Sequence, residues 1–422
     1  MIRLAILLSL VMFVCITKIA FCAPDVKDEV KYKEPKPSSW VEITSRERLI
    51  SVLELIGHQT RGNYEKIHTW QGTCNEINQS TLSISTLRQL GYSKLTFPIS
   101  VSFTAKHNFR IDLINNKIYS DYENGNAEFV NETDGKIVDV PFKREDSEKN
   151  IVTQEHYLSY SPNSPYLNPF RTKIKTKTLP TAFRKDTRLA MFSLFSNSID
   201  PRILMGPSAH HQFAYEMNGW ADDIRKNKLP KSFLRIDEAK VEGETWFRVT
   251  NLYPDTGLKS RELIFYSAYG FNNSRLSDWS PGRKKNDEPH IIRNVRYTKV
   301  DGIFVPSEAV IQRGTNHRTL QFGDCSLNEP IKPAWFTLDG LALADGGLYM
   351  DDIEKVAYVN KSGSLEKLAD YGIKNNSSFK NIVKAENNTN FPKYQFTLIA
   401  INILALLCIL IGLWVRKRKT NN

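Results

Sequence analysis

The chain has 422 residues, of which 41% are hydrophobic and 24% are charged, and its formal net charge is +11. A chain of this length can bury at least one large core. Two of the excess positive charges lie in a predicted signal peptide and four in a basic C-terminal tail, which leaves +5 on the rest. That modest surplus argues against nucleic-acid binding.

Residues 1–22 are predicted to be a signal peptide. Arg3 precedes an apolar run at 4–16, and the small residues at the end of the segment suit cleavage after residue 22. A lipoprotein signal would instead place Cys22 at the cleavage site for lipidation. Because Phe21 is too bulky for the position before a lipidated cysteine, ordinary cleavage is the favoured interpretation.

The first folded element is predicted to be a helix. Residues 23–44 are rich in Lys, Glu and Pro and predict an extended leader. Thr44 and Glu47 have capping-box spacing, and the apolar residues that follow repeat on one helical face. The pattern predicts about four turns that end between Gly57 and Gly62.

Two strands and a hairpin are predicted next. The stretch 64–77 leads into the first strand, and 95–103 alternates apolar and polar residues in the second. Segments 109–113 and 117–122 flank an Asn-Asn pair, which indicates a hairpin turn.

Residues 139–227 are predicted to be a large insertion. Up to residue 181 this stretch is charged, rich in Pro and Tyr, and without periodicity, which predicts irregular structure. A helix is predicted at 184–197, and a second helix is predicted to begin after a Ser208 cap.

The clearest pattern lies between residues 232 and 328 and predicts an antiparallel sheet. Glu242-Gly243 and Asp301-Gly302 supply Gly at two-residue hairpin turns, where a positive φ costs Gly little. Several strands alternate, so each is expected to have one buried face. The predicted strands are 232–241, 245–252, 261–268, 291–300, 303–312 and 318–325, with a polar loop before 291 and a closing element at 335–341 and 348–359.

A membrane anchor is predicted near the C-terminus. After an Asn-, Ser- and Lys-rich stalk at 373–395, the stretch 396–415 has the roughly 20 residues that a transmembrane helix needs. Its basic flank, in the tail 416–422, places the C-terminus in the cytoplasm and the bulk of the chain on the periplasmic or extracellular side. A buried core helix is the alternative, and four consecutive cations argue against it.

Only two cysteines, Cys74 and Cys325, lie outside the signal peptide and the membrane span. In an oxidising compartment they predict a disulfide, which would stabilise the fold by about 4–5 kcal/mol in the chain-entropy model. The alternative is two buried thiols that behave as small hydrophobic groups. No Cys or Cys/His spacing suggests zinc, so neither a metal nor a cofactor is predicted.

The sequence shows no reaction centre. His210 and His211 are adjacent, whereas a helical metal pair needs two His at i and i+4. The stretch 206–210 lacks the Gly-x-Ser-x-Gly elbow that exposes a nucleophile. We therefore predict a binding protein rather than an enzyme, and a hydrolase on the secreted side is the least favoured alternative.

The sequence resembles the LolA/LolB-like family of outer-membrane lipoprotein-sorting half-barrels, whose fold the sensor RseB shares. Within it, the chain resembles a group of uncharacterised bacterial exported proteins. The resemblance covers about residues 45–358. It is carried by Tyr-x-x-Ile-x-Thr-Trp-x-Gly at 64–72, Asp-Gly-Ile-Phe-Val-Pro at 301–306 and Phe-Thr-Leu-x-x-Leu-x-Leu at 336–343. The membrane anchor and the large insertion depart from a soluble carrier.

The resemblance implies an α+β fold for residues 45–372, with a transmembrane helix added. A curved, mainly antiparallel half-open barrel would carry helices across its concave face and enclose an apolar cavity for a lipid or lipoprotein acyl chain. Each buried CH₂ would contribute about 0.8 kcal/mol. Alternatively, the same residues form a closed core, and the protein is an envelope sensor or scaffold that grips a protein partner. The cavity candidates are Phe97, Ile99, Phe103, Phe233, Trp246, Phe265, Phe304 and Phe322.

The basic flank of the predicted membrane span allows a test of topology. Protease added outside sealed cells should digest the chain up to about residue 393 and leave the tail 416–422 intact, because the tail should lie in the cytoplasm. Mass spectrometry of the retained fragment measures this, and permeabilised cells are the control in which the tail should also be lost. Protection of the whole chain would show that the predicted orientation is wrong.

Overall fold

The computed structural model describes residues 34–89, 95–138, 147–161, 181–186, 200–206, 212–229, 233–282, 284, 286–351, 354 and 356–367. The predicted signal peptide, stalk, membrane span and tail lie outside these residues, as do Ser208, His210, His211 and most of the predicted helix at 184–197. Within the described ranges, no helix is long and apolar enough to cross a membrane. The chain forms two compact units, residues 1–164 with 185–342 and residues 165–184 with 343–422.

The helices and strands are numbered here in chain order. The α-helices are α1 (Arg46–Tyr64), α2 (Ile84–Gln89), α3 (Phe213–Arg225) and α4 (Leu338–Leu341), and short 3-10 turns include Pro37–Ser39, Pro201–Leu204, Ser267–Tyr269 and Pro333–Phe336. The strands are β1 (Val41–Glu42), β2 (Thr69–Leu82), β3 (Ile99–Asp112), β4 (Lys117–Asn131), β5 (Ser147–Val152), β6 (His156–Ser161), β7 (Thr181–Asp186), β8 (Leu234–Val241), β9 (Glu244–Leu252), β10 (Lys259–Tyr266), β11 (Asn272–Asp278), β12 (Ile291–Val300), β13 (Ile303–Arg313), β14 (Asn316–Leu327), β15 (Leu348–Asp351), β16 (Val356–Lys361) and β17 (Ser364–Lys367).

The first unit is built on one curved antiparallel sheet that does not close into a barrel. Its strands pair in the order β1-β8-β9-β10-β11-β12-β13-β14-β2-β3-β4-β5-β6. The pairing of β14 with β2 joins the C-terminal series of strands to the N-terminal series, with Phe322 opposite Cys74. The mainly antiparallel, unclosed sheet that the sequence predicts is therefore confirmed.

The second unit is a smaller arrangement of strands. β15 pairs in parallel with β7 and antiparallel with β16, and β16 pairs with β17. The side-chain amide of Asn360 donates to the carbonyl oxygen of Leu343 at 2.6 Å, which ties the turn before β15 to β16.

Both predicted glycine hairpins are confirmed. Glu242 and Gly243 have φ values of 54° and 88°, and Asp301 and Gly302 have values of 50° and 79°. Two successive residues with positive φ make the tight turn whose twist matches that of antiparallel strands. The strands that flank these turns, β8–β9 and β12–β13, begin and end within two residues of the predicted bounds.

Two stretches that the sequence predicts to be loops contain strands in the structure. The polar loop predicted before residue 291 contains β11, and the stretch predicted to be irregular contains β5 and β6. In β11 the polar side chains bond within the sheet: the amide of Asn273 donates to the carbonyl oxygens of Ile264 at 3.1 Å and Arg275 at 2.8 Å. Buried polar residues of this kind remove the apolar alternation that marks a strand in sequence.

Helix α1 is longer than predicted, and its cap is shifted by one residue. The hydroxyl of Ser45, rather than that of Thr44, accepts the N–H of Arg48 at 3.3 Å. The helix continues through Gly57 to Tyr64. A Cβ at Gly57 would lie 2.4 Å from Oδ1 of Asn218, so this glycine allows α3 to approach closely rather than ending the helix.

In the described part of the first unit, three clusters of buried apolar residues stabilise the fold. The central cluster contains Ile67, Trp70, Cys74, Phe109, Ile111, Ile118, Leu204, Met205, Ala239, Trp246, Ile264, Tyr266, Tyr269, Val295, Tyr297, Ile303, Val305, Ala309, Ile311, Leu320 and Leu327. The helix cluster, between α1, α3 and β8–β11, contains Val52, Leu53, Ile56, Phe213, Met217, Ala221, Ile236, Phe247, Val249, Leu263, Phe265 and Leu276. A small α2 cluster contains Leu87, Ile99 and Val101.

The close approach of strands β2 and β14 at Gly72 generates a test of the fold. A Cβ at this position would lie 2.9 Å from Cζ of Phe109, 3.1 Å from Sγ of Cys325 and 3.2 Å from the carbonyl oxygen of Gly323. We expect Gly72→Ala to lower the free energy of unfolding by about 1–3 kcal/mol through overpacking, measured by urea denaturation. Gly62→Ala is the matched control because no atom lies within 4 Å of its Cβ position, and it should be neutral or stabilising. Equal effects of the two changes would contradict the tight approach.

Candidate functional site

The predicted cavity residues are distributed over separate clusters. Trp246 belongs to the central cluster, and Phe304 and Phe322 pack against it. In the β9–β10 ladder Trp246 is opposite Tyr266, whereas Phe247 is opposite Phe265. Since neighbouring residues of a strand point to opposite faces, the structure does not bring Trp246 and Phe265 together.

The other candidates lie outside the central cluster. Phe265 is fully buried in the helix cluster. Ile99 belongs to the α2 cluster, with Phe97 and Phe103 packed against it. Phe233, just before β8, is half-buried and in none of these clusters. A role for any of the eight residues in ligand binding stays a prediction.

The two cysteines outside the signal and membrane segments are free thiols. Cys74 lies on β2, and Cys325 lies in an irregular part of β14, where the register shifts between Gly323 and Ser326. Burial raises the pKa of both thiols above the ordinary range. The structure therefore does not contain the disulfide that the sequence predicts between them, and it has the alternative arrangement of two unpaired thiols.

A groove of about 490 Å³ opens beside β2, β3 and the turn between β13 and β14. Most of its lining residues have polar side chains, and none of them is a predicted cavity residue. The lining residues are Gln79, Ser80, Thr81, Ser100, Val101, Gly314, Thr315 and His317.

Three ionisable side chains lie on the apolar face formed by β2, β3 and β14. Oε2 of Glu76 is 2.7 Å from Nε2 of His107 and 2.9 Å from Nη2 of Arg318. Oε1 of Glu76 is 2.8 Å from Nε of Arg318. Each of these residues is at most 4% exposed, so the interior of the sheet holds a desolvated ion pair with a histidine attached.

The electrostatics of this group follow from burial and contact. Burial alone would raise the pKa of Glu76, but the hydrogen bond from His107 and the charge of Arg318 outweigh it and lower the pKa to about 2. Burial lowers the pKa of His107, against the opposing effect of Glu76. At neutral pH a neutral His107 therefore donates from Nε2 to the carboxylate, and its Nδ1 has no hydrogen-bond partner in the described part of the chain.

A second feature of the interior is a short segment that is not part of the sheet. Residues 200–206 are all buried, and Leu204 and Met205 belong to the central cluster. Within the segment, Asp200 binds Arg202 through two nitrogens, with Nη2 at 2.8 Å from Oδ2 and Nε at 3.0 Å from Oδ1. We refer to residues 200–206 as the buried segment.

The buried segment is attached to the sheet by hydrogen bonds to its backbone carbonyl groups. Nη1 of Arg293, on β12, donates to the carbonyl oxygens of Ile203 at 2.6 Å and Gly206 at 3.1 Å. The hydroxyl of Tyr297, on the same strand, lies 3.1 Å from the carbonyl oxygen of Leu204. Arg293 is opposite Ile311 and Ile311 is opposite Arg318, so both arginines lie on one face.

The sequence did not lead us to predict these polar residues, although it contains a local signal for them. Arg293 occupies the same face of its strand as Ile291 and Val295, and Arg318 the same face as Leu320. Charged residues at apolar-face positions therefore marked the interior. Their partners could not be read, because the pairing of β2 with β14 joins distant parts of the sequence.

The described residues contain no group of three or more His, Cys, Asp or Glu side chains placed to hold a metal ion. Burial keeps the Cys74 thiol protonated at neutral pH, which makes it a poor nucleophile. Chemically, the described interior of the first unit is a packed apolar cluster that also holds fixed polar groups.

No protein-family model matches the sequence, and no curated protein does. Similar solved structures include a DUF1329 family protein from Desulfovibrio piger, with 8% identity, coverage of 69% of this chain and 98% of that chain, and a TM-score of 0.30. A putative outer membrane lipoprotein-sorting protein domain from Vibrio parahaemolyticus has 10% identity, coverage of 70% and 99%, and a TM-score of 0.30. LprF from Mycobacterium bovis has 9% identity, coverage of 68% and 95%, and a TM-score of 0.16. Among these neighbours, the Vibrio parahaemolyticus domain carries the name of the family that the sequence resembles.

The buried ion pair generates a stability test. We expect Glu76→Gln to lower the free energy of unfolding by about 3–5 kcal/mol, because it leaves the guanidinium of Arg318 buried without a counter-ion. The double change Glu76→Gln with Arg318→Met should recover most of the loss, since it removes both charges and keeps an acceptor for His107. Urea denaturation measures the two single variants, Glu76→Gln and Arg318→Met, and the double variant, and additive losses would contradict the coupling.

The same variants differ in their response to acid. The folded-state pKa of Glu76, about 2, lies below its ordinary value of 4.5, so the carboxylate stabilises the fold fully above pH 4.5 and loses that contribution as pH falls toward 2. Wild-type protein should therefore lose more stability than the double variant across this window. Parallel pH dependence of the two proteins would count against an ionised Glu76.

Proposed function

We propose that the protein binds a hydrophobic ligand within the central cluster, outside the cytoplasm, and performs no chemistry on it. The observation that supports this most strongly is the buried segment. A stretch that contributes no strand to the sheet lies wholly inside the apolar interior, where Leu204 is 1% exposed and Met205 is 5% exposed. The face of the sheet is therefore wide enough to accommodate apolar groups that its own strands do not supply.

A ligand could occupy the same space at modest cost. In the described structure, the polar contacts between the sheet and the buried segment are hydrogen bonds. The side chains of Arg293 and Tyr297 donate to three backbone carbonyl groups of the segment. An alkyl chain that displaced Leu204 and Met205 would gain about 0.8 kcal/mol for each buried CH₂. The helix cluster is less suitable, because two helices of 19 and 13 residues fill it.

The proposed arrangement extends to the ends of the chain. Residues 45–372 would form the binding part, with 139–227 inserted in it, and a stalk at 373–395 would tether this part to a transmembrane helix at 396–415. A tether of this kind would keep the binding part near the bilayer, from which a lipid or lipoprotein acyl chain could be taken.

The second candidate function is an envelope sensor or scaffold that grips a protein partner. It is favoured by one observation, namely that most of the predicted cavity residues are packed in clusters. In that case the buried segment is a permanent part of the core. The two functions differ in whether the segment can be exchanged for a ligand.

A pair of matched leucine variants separates the two functions. Leu204 of the buried segment and Leu263 of the helix cluster are both buried, and replacing either with Ala should lower the free energy of unfolding by about 2–5 kcal/mol. Only Leu204→Ala should also bind an uncharged apolar dye, N-phenylnaphthylamine, more tightly than wild-type protein, because it weakens the occupant that competes with the dye.

The measurement is a fluorescence titration of the purified full chain, with saturation expected near one dye per chain. Tighter binding by Leu263→Ala as well would show that the dye only reports loosened packing. No saturable binding by wild-type protein or by Leu204→Ala would favour the scaffold.

A further inference from the structure

Arg293 differs from the other buried charged residues of the first unit. In the described part of that unit, Glu76 is paired with Arg318, Asp200 with Arg202, and Asp237 with two arginines. Arg293 is 1% exposed and has no carboxylate partner among the described residues. A buried charge without a counter-ion is unfavourable, so this guanidinium marks a place where an anion would be stabilised.

The neighbouring sequence does not supply the missing anion. The stretches 187–199 and 207–211, which flank the buried segment, contain no Asp or Glu. Asp278 raises the pKa of Arg293, but Asp278 is itself bound by Arg261 at 2.8 Å, and Arg261 acts in the opposite direction. Burial lowers the pKa of Arg293 to about 10, so the side chain stays charged at neutral pH.

The guanidinium has an open edge. Nη1 donates to the carbonyl oxygens of Ile203 and Gly206, and Nη2 lies 3.3 Å from Oδ1 of Asn273. Nε is buried and has no hydrogen-bond partner in the described chain. Nε and Nη2 together form the edge with which arginine binds two oxygens of a carboxylate or phosphate.

The surroundings add to the positive potential. Cζ of Arg293 lies 5.6 Å from the ring centroid of Phe213, the first residue of α3. No side chain caps this helix, because Gln212 at the cap position makes no such hydrogen bond. The partial positive charge of the helix N-terminus therefore acts in the same sense as the guanidinium.

We propose that Arg293 is the headgroup site of the ligand, and that the ligand is an anionic amphiphile, an alkyl chain that carries a carboxylate or a phosphate monoester. The headgroup binds the Nε–Nη2 edge of the guanidinium, and the alkyl chain lies in the central cluster in place of Leu204 and Met205. This inference rests on the proposed function and adds to it the charge of the ligand and the residue that selects it.

The test compares three amphiphiles with the same alkyl chain on the purified full chain. Dodecanoic acid, dodecyl phosphate and uncharged methyl dodecanoate are each titrated at neutral pH into protein that has bound N-phenylnaphthylamine, and the displacement of the dye is measured by fluorescence. At least one of the two anions should displace the dye at a concentration about tenfold or more below that of the ester, since charge-assisted bidentate hydrogen bonds are strong. The anion that displaces better identifies carboxylate or phosphate as the preferred headgroup.

Two variants assign the preference to Arg293. Arg293→Met removes a buried charge without leaving another unpaired, and it should abolish the preference, so that the anions and the ester displace the dye at similar concentrations. Arg293→Lys keeps the charge but loses the two-nitrogen edge, so it should give a reduced preference, and it serves as the test if the Met variant does not fold. Arg296→Met is the control, because Arg296 is an exposed residue of the same strand that binds Glu308, and it should behave as wild-type protein.

The outcomes separate this inference from the proposed function. The assignment of Arg293 would be overturned if the anions and the ester displaced the dye equally in wild-type protein. It would also be overturned if the preference for anions persisted in Arg293→Met, or persisted at full strength in a folded Arg293→Lys. The proposed ligand binding would stand in either case. Failure of every amphiphile and of the dye to bind would overturn the proposed function itself, and the headgroup site with it.

Discussion

The pairing of β14 with β2 is the constraint on which the interior of the first unit depends. It joins strands from the two halves of the sequence and fixes which residues face inward together. A shift of one residue would move every side chain of a strand to the other face, so the apolar residues and the Glu76–Arg318 ion pair specify the same register. Gly72 permits the approach of Cys325 at the point where that register becomes irregular.

Much of this architecture could be predicted from local sequence. Two-residue turns with Gly at the second position and alternating flanks gave β8–β9 and β12–β13 nearly residue by residue. Strand β11 could not be predicted, because Asn273 is polar and yet buried, with its amide bonded to strand carbonyl groups. The candidate site was harder to predict from the sequence. Alternation shows that Trp246 and Phe265 are core positions, but only the ladder shows that they belong to opposite faces.

In the proposed function, the helix cluster stabilises the first unit and the buried segment is the part that a ligand would displace. In the helix cluster, α1 and α3 are in close contact at Gly57 and Asn218. Arg46 also donates hydrogen bonds to the last carbonyl groups of α3, with its Nη2 2.9 Å from the oxygens of Ile224 and Arg225. Displacing either helix would expose a long amphipathic face. The buried segment is short, residues 200–206, and its polar contacts to the sheet are hydrogen bonds from Arg293 and Tyr297 to backbone carbonyl groups.

The chemistry of Arg293 connects that release to the ligand. Backbone carbonyl groups carry only partial negative charge, so they satisfy the hydrogen bonds of a guanidinium without neutralising it. A headgroup with a full negative charge is the better partner in a medium of low dielectric constant. The headgroup would bind the Nε–Nη2 edge while the carbonyl groups bind Nη1, so the competition lies between the alkyl chain and the side chains of the buried segment, and the free energy gained at the guanidinium adds to that of the alkyl chain. A neutral ligand of equal length would have to displace it by apolar contact alone.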